Sequence, residues 1–268
     1  MRNRRFVVSI AAAALFLSFA TLGFADDRND NNGDGNACKG LPSYASLQKQ
    51  LAAAQAQSNG GFGLNMWATI VNRDGVVCAV AFTGKNRGDQ WPGSRVISAQ
   101  KANTANAFSL PTLALSTANL YSAVQPGGSL YGLQASNPVD TDVAYRGNSA
   151  NYGQENDPMV GGKIGGVNVF GGGLALYNSN KVLVGALGVS GDSSCADHNI
   201  AWETRQGLGL DWVPAGVSGD LLHPDNIVYD ITPQLGQMPG VSAQGWGHPV
   251  CSTDASAVAA HLTAIRRK

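Results

Sequence analysis

Two short runs place a cysteine and a histidine three residues apart in mirrored order, Cys195-Ala-Asp-His198 and His248-Pro-Val-Cys251. Brought together they would form a Cys2His2 set, the ligand chemistry of a structural zinc site. In an oxidising compartment the two thiols bond to each other instead, which would hold His198 beside His248. Two neutral imidazoles side by side suit haem iron or a divalent metal. The plainer reading gives each ring a local backbone carbonyl. A second group lies just upstream, where Gly188-Val189-Ser190-Gly191-Asp192 sets small residues at the point where a strand gives way to a helix. Free backbone N–H groups at such a point attract carboxylates. Lys101 would complement an acid there, with Thr104 one helical turn on. The competing reading is that the glycines only make the tight turn and that Asp192 or Ser193 caps the helix. Taken singly, Lys101 suits a solvated helix face and Thr104 a bond to its own helix backbone. Ser190 stands in Gly-x-Ser-Gly rather than Gly-x-Ser-x-Gly, so a nucleophile elbow served by Asp211 and His248 is disfavoured.

Compartment decides between several of these readings. The chain has 268 residues, no net formal charge and 34 glycines. Arg2, Arg4 and Arg5 precede an uncharged stretch from Phe6 to Ala25, which ends in the small residues Gly23 and Ala25 before Asp26-Asp27. Residues 1–25 therefore read as a secretory signal peptide, with an uncleaved membrane anchor as the alternative. Its removal takes three arginines and no acids, leaving a net charge of −3. No second long apolar run follows, so the remainder is expected in a secreted or periplasmic setting, off the membrane. The lack of basic excess argues against a nucleic-acid partner. All four cysteines follow residue 25, and an even number there favours two disulfides among three connectivities. On compartment, Cys195–Cys251 is favoured over zinc, and Cys38 then pairs with Cys78 by elimination.

The elements that must position these groups are legible in outline. Residues 26–40 form a polar linker; Asp30, Asn32, Asp34 and Gly35 match the start of a calcium loop, but Leu41 replaces its closing acid. A helix is expected over Ser43–Ser58, a hairpin over Leu64–Val71 and Val76–Phe82 through Asn72-Arg73-Asp74-Gly75, and a helix over Ser94–Phe108. Pro111 opens a further helix to about Val124. Gln125–Gly162 is long and weakly patterned, as a lid or an oligomer contact would be. A hairpin over Val167–Val189, a helix over Cys195–Gly207 and a final helix over Asp254–Arg267 complete the order. Both strand pairs are hairpins, so the fold class is α+β: an antiparallel sheet of about four to six strands with helices packed on it. Trp67, Trp91, Trp202, Trp212 and Trp246 would either wall a pocket for a planar ligand or fill the core.

Three pieces resemble the haem-binding HbpS/GlcG-like family: the hairpin from Ala68 to Phe82, the helical Ala99-Gln100-Lys101-Ala102-Asn103-Thr104-Ala105, and Gly165-Gly166-Val167 followed by Gly185-Ala186-Leu187-Gly188-Val189-Ser190-Gly191. The resemblance covers residues 41–209 and implies a profilin-like fold, haem or another small ligand as the bound group, and homo-oligomeric assembly. The signal peptide, the enlarged Gln125–Gly162 segment and the extension 210–268 depart from short members of that family. The expectation is a secreted protein that binds haem, or a related planar acidic ligand, for sensing, storage or delivery. Its acids would meet Lys101, Thr104, Gly188, Ser190, Gly191 and Asp192, and its iron His198 or His248. The alternatives are a haem-dependent or small-acid-processing enzyme and an oligomeric interaction module. No acid/base pair in the sequence favours the enzyme.

Overall fold

The computed structural model describes residues 37–234 and 237–267; the expected signal peptide and the calcium-loop-like residues lie outside them. In chain order the elements are α1 (Tyr44–Gln55), β1 (Trp67–Asn72), β2 (Val77–Phe82), α2 (Ser94–Phe108), the short α3 (Thr141–Ala144), β3 (Gly173–Tyr177), β4 (Leu183–Ser190), α4 (Ser194–Gly207), β5 (Ile231–Gln234), β6 (Gln237–Ser242) and α5 (Thr253–Ala259). The main sheet runs β2-β1-β4-β3, antiparallel throughout, so the two hairpins meet along β1 and β4. This is the α+β architecture expected from the sequence.

The sheet is covered on both faces, which is why its strands are mostly apolar rather than alternating. On one face Ala68, Ile70, Leu187 and Val189 pack against Leu47 and Leu51 of α1 and Ile200 and Trp202 of α4. On the other, Trp67, Val71, Val80 and Ala186 pack against Ala99, Ala102 and Ala105 of α2. Thr69 points the same way and shares a 2.8 Å hydrogen bond with Ser98. Close approach of α2 depends on two paired glycines, Gly173 and Gly188. A Cβ on Gly188 would lie 1.9 Å from the Ser98 carbonyl oxygen, and one on Gly173 2.5 Å from that of Lys101. The β1–β2 turn works as its sequence promised: Asn72 Oδ1 accepts from Asp74 and Val76 N–H, and Gly75 takes φ +78°.

The Gln125–Gly162 segment lies across α2 and the β2 edge. Arg95 of α2 forms a buried ion pair with Asp157, and its guanidinium stacks 3.7 Å from the Tyr152 ring centroid. Met159 joins the α2-side core. The extension from residue 210 returns along β3, where Tyr177 N–H donates to Leu210 O. It then passes Asp225 beneath α4, where that carboxylate meets Arg205 with both side chains fully enclosed. Disulfides join Cys38 to Cys78 of β2 and Cys195 of α4 to Cys251.

Three expectations need correction. Residues 111–124 do not form one helix. Leu110 and Leu113 close a turn on each other, and 3-10 turns follow at Thr117–Leu120 and Ser122–Val124. The polar groups of this stretch bond across the fold instead: Ala114 N–H donates to Ala215 O, and Thr117 Oγ1 donates to Phe170 O. The last helix stops at Ala259, not Arg267, because the groups beyond it are taken by other elements. Trp202 Nε1 donates to Thr263 O, and Ile265 N–H donates to Leu222 O. Finally, the sequence reading contained no β5–β6 hairpin, a segment that carries Pro233 and Pro239.

Candidate functional site

The β4–α4 junction is where most of the candidate residues converge. Ser193, not Asp192, is the N-cap of α4; its side chain accepts from Ala196 N–H. The backbone N–H groups of Gly191 and Asp192 do bind an anion, and that anion is the protein's own. Asp197, in the first turn of α4, accepts from them at 3.0 and 2.8 Å through Oδ1. Its Oδ2 meets Lys101 Nζ at 2.7 Å, and Lys101 also donates to Val189 O at 3.1 Å. Lys101 therefore lies beside the Ser190 loop, buried rather than solvated. Burial pushes the Asp197 carboxyl up and the Lys101 amine down, and each partner's charge offsets part of that cost.

The other expected ligand-binding residues are similarly engaged. Asp192 turns its carboxylate toward the α1–β1 loop and accepts from Phe62 and Leu64 N–H. Thr104 donates to Gln100 O and accepts from Asn168 N–H. Gly188 is a packing position against Ser98, and Ser190 is buried opposite Trp67. The proposed partners of a serine nucleophile are committed elsewhere, Asp211 to Arg266 and His248 to Ser194.

Both histidines are interior. His198 has no exposed surface; its Nε2 lies 3.1 Å from Asn226 Oδ1 and 3.1 Å from Ile227 N, while Nδ1 has no hydrogen-bond partner. Burial holds its pKa down to about 4. His248 is 3% exposed, with Nε2 2.8 Å from Ser194 Oγ and Nδ1 2.7 Å from Pro249 O. Burial likewise lowers its pKa to about 4. Both rings are thus enclosed, and three of their four nitrogens lie within hydrogen-bond distance of the protein's own groups.

A different place fits a planar acidic ligand better. Trp67, Pro92, Val96, Tyr145 and Tyr152 wall a 310 Å3 cleft between the start of α2 and the segment after α3, with Arg87 at its edge. Arg87 is exposed and makes no ion pair among the described residues. Tyr145 is 58% exposed. Three larger clefts lack this combination. One, of 590 Å3, has no charged residue in its lining; the others, of 560 and 420 Å3, carry Asp192 with Asp254 and Glu203 respectively, acids that repel a carboxylate. Apolar walls with a few convergent polar groups are the usual make-up of a small-molecule site. Sequence reasoning misses this cleft because Arg87, Tyr145 and Tyr152 sit in loops without periodicity. Trp67, one of the five tryptophans named as possible pocket walls, is the one signal.

Several solved structures share features with the chain. A crystal structure of a PduOC–haem complex is 24% identical and covers 61% of this chain and 91% of its own, with a TM-score of 0.41. Klebsiella pneumoniae protein ORFY is 25% identical, covering 62% and 90%, also at 0.41. A double mutant of Streptomyces reticuli HbpS is 16% identical, covering 76% and 99%, at 0.39. No curated protein matches the chain. The family described as "Haem degrading protein HbpS-like" matches residues 44–206, from the start of α1 to the end of α4 and more than half of the sequence. The chain belongs to the HbpS-like family.

Proposed function

We propose that the chain is a secreted haem-binding protein that holds haem for sensing, storage or delivery, and that it does so at the Trp67–Tyr145 cleft. The observation that carries the reading is this cleft on a chain of the HbpS-like family. The walls offer Trp67, Val96 and Tyr152 to a flat apolar ring, and Arg87 offers a guanidinium to a carboxylate. Tyr145 brings a phenol, an established type of haem ligand. At 310 Å3 the cleft is near the lower end of ligand sites, so part of a porphyrin-sized molecule stays at the surface. The bound group supplies the iron chemistry; the protein supplies apolar contact, charge and orientation. Secretion is supported by two disulfides and by the residue pattern at 1–25.

Haem titration followed in the visible range tests the reading. The wild type should shift the Soret band at micromolar haem. Arg87→Ala should weaken binding by about tenfold, the value of one charge-assisted bond. Tyr145→Phe should change the spectrum of the bound form. A wild type without a Soret shift overturns haem binding, whereas unchanged binding and spectra in both variants overturn only the cleft.

A further inference from the structure

The Cys195–Cys251 disulfide joins the first turn of α4 to the segment entering α5, with the two Cα atoms 5.9 Å apart. His248 lies against it: Nδ1 is 4.0 Å from Cys195 Sγ. The two sulfurs and a His248 nitrogen all fall within 4.8 Å of one another, the one such set of Cys, His, Asp and Glu groups among the described residues. As a disulfide the sulfurs are poor ligands. As thiolates they would be strong ones.

We infer that reduction of this disulfide opens a three-ligand site for a thiophilic divalent cation, Zn2+ or Cd2+, built from Cys195, Cys251 and His248. A tetrahedral zinc with Zn–S near 2.3 Å and Zn–N near 2.0 Å holds sulfur and nitrogen roughly 3.5 Å apart. The present 4.0 Å needs only a small adjustment. The fourth position stays open. Ser194 is placed to support the ligand. Its Oγ accepts from Gly171 N–H at 2.6 Å and lies 2.8 Å from His248 Nε2. With the ring proton moved from Nδ1 to Nε2, His248 would donate to Ser194 and free Nδ1 for the metal, the usual outer-ligand arrangement.

The redox step is a thiol–disulfide exchange with a dithiol. One thiolate of the dithiol attacks Cys251 Sγ, the exposed end of the bond, and Cys195 leaves as a thiolate. The leaving sulfur sits in the first turn of α4, 3.2 Å from Cys251 N–H, where the helix end and that donor favour negative charge. The second thiol of the dithiol then displaces Cys251 and closes its own ring. Two electrons and two protons pass to the protein, and the dithiol becomes a cyclic disulfide. Binding of the cation displaces the two thiol protons. Haem plays no part in this site.

The test uses the full chain reduced with a dithiol, freed of it under anaerobic conditions and titrated with Cd2+. One cadmium per chain should bind, with the ultraviolet thiolate-to-cadmium charge-transfer band, while the oxidised chain binds none. His248→Ala should weaken binding by tenfold or more, and the Cys38→Ser/Cys78→Ser variant should keep it. Absence of the band in the reduced chain overturns the inference. So does equal affinity in His248→Ala, or loss of the band in the Cys38→Ser/Cys78→Ser variant. Circular dichroism covers the remaining case: a reduced chain that is unfolded and that Cd2+ does not refold also overturns it.

Discussion

Replacing Asp225 by alanine should be among the costliest single changes available in this protein. Asp225 belongs to the 210–268 extension and Arg205 to α4, and neither side chain reaches solvent. Arg205 Nη1 meets Asp225 Oδ2 at 2.5 Å and Nη2 meets Oδ1 at 2.9 Å. Without the carboxylate the guanidinium keeps one bond, to Ala175 O at 3.2 Å, and the face of Trp202 at 4.6 Å. Its Nε already lacks a partner. Breaking a buried pair from one side costs about 3–5 kcal/mol, against a total domain stability of about 5–15 kcal/mol. At roughly 2–4 °C per kcal/mol for a chain of this size, Asp225→Ala should lower Tm by about 6–20 °C. Thermal melts by far-ultraviolet circular dichroism measure it directly, with urea midpoints as a second readout. Arg205→Met/Asp225→Leu should recover most of the loss, since a neutral apolar pair removes the stranded charge. A fall of less than about 2 °C for Asp225→Ala would refute the reasoning, because it would mean that water or another anion reaches Arg205.

Two further outcomes follow from the same physics. His198 is held down to about 4 by burial, below its ordinary 6.5, so its contribution is fully present above pH 6.5 and is lost as pH falls toward 4. That amounts to about 3 kcal/mol. Asp197, raised by burial, acts in the opposite direction. Comparing wild type with His198→Gln isolates the histidine: the gap in urea stability should shrink by about 3 kcal/mol between pH 7 and pH 4, and a constant gap counts against the assignment. Gly188→Ala should destabilise by about 1–3 kcal/mol or more, since its Cβ would strike the Ser98 carbonyl; an unshifted urea midpoint would show that α2 can move away.

Local chemistry was the part legible from residues alone. Asp74-Gly75 marked the first hairpin, Ser193 was one of two named caps for α4, and the mirrored Cys–His runs pointed to the Cys195–Cys251 bond. What stayed hidden was set by distant partners. Residues 111–124 carry helix-compatible residues, yet Leu113 O accepts from Tyr177 Oη and Thr117 Oγ1 donates to Phe170 O. The final helix is cut short by bonds to Trp202 and Leu222. The Ser190 loop carries the backbone donors that its glycines suggest, but no local rule could say that Asp197 would take the N–H groups of Gly191 and Asp192. One clue was available. Lys101 stands among Ala99, Ala102 and Ala105, a small-residue setting that implies close packing around it and hence an internal counter-charge. The interior position of His198 and His248 had no comparable signal, because the cover over them comes from Asn226, Ile227 and Pro249 in the extension.

The bond between Cys195 and Cys251 also governs how the protein withstands proteases. A single nick anywhere between Leu208 and Pro249 separates the polypeptide into two pieces, yet both remain covalently joined, with α5 still held against α4. The pieces cannot diffuse apart, so the buried Arg205–Asp225 contact and the β3-edge bonds can re-form at the effective concentration of a tethered partner. Such damage would go unseen on a non-reducing gel and would show as two bands only after reduction. Cleavage of the extension thereby becomes a survivable event.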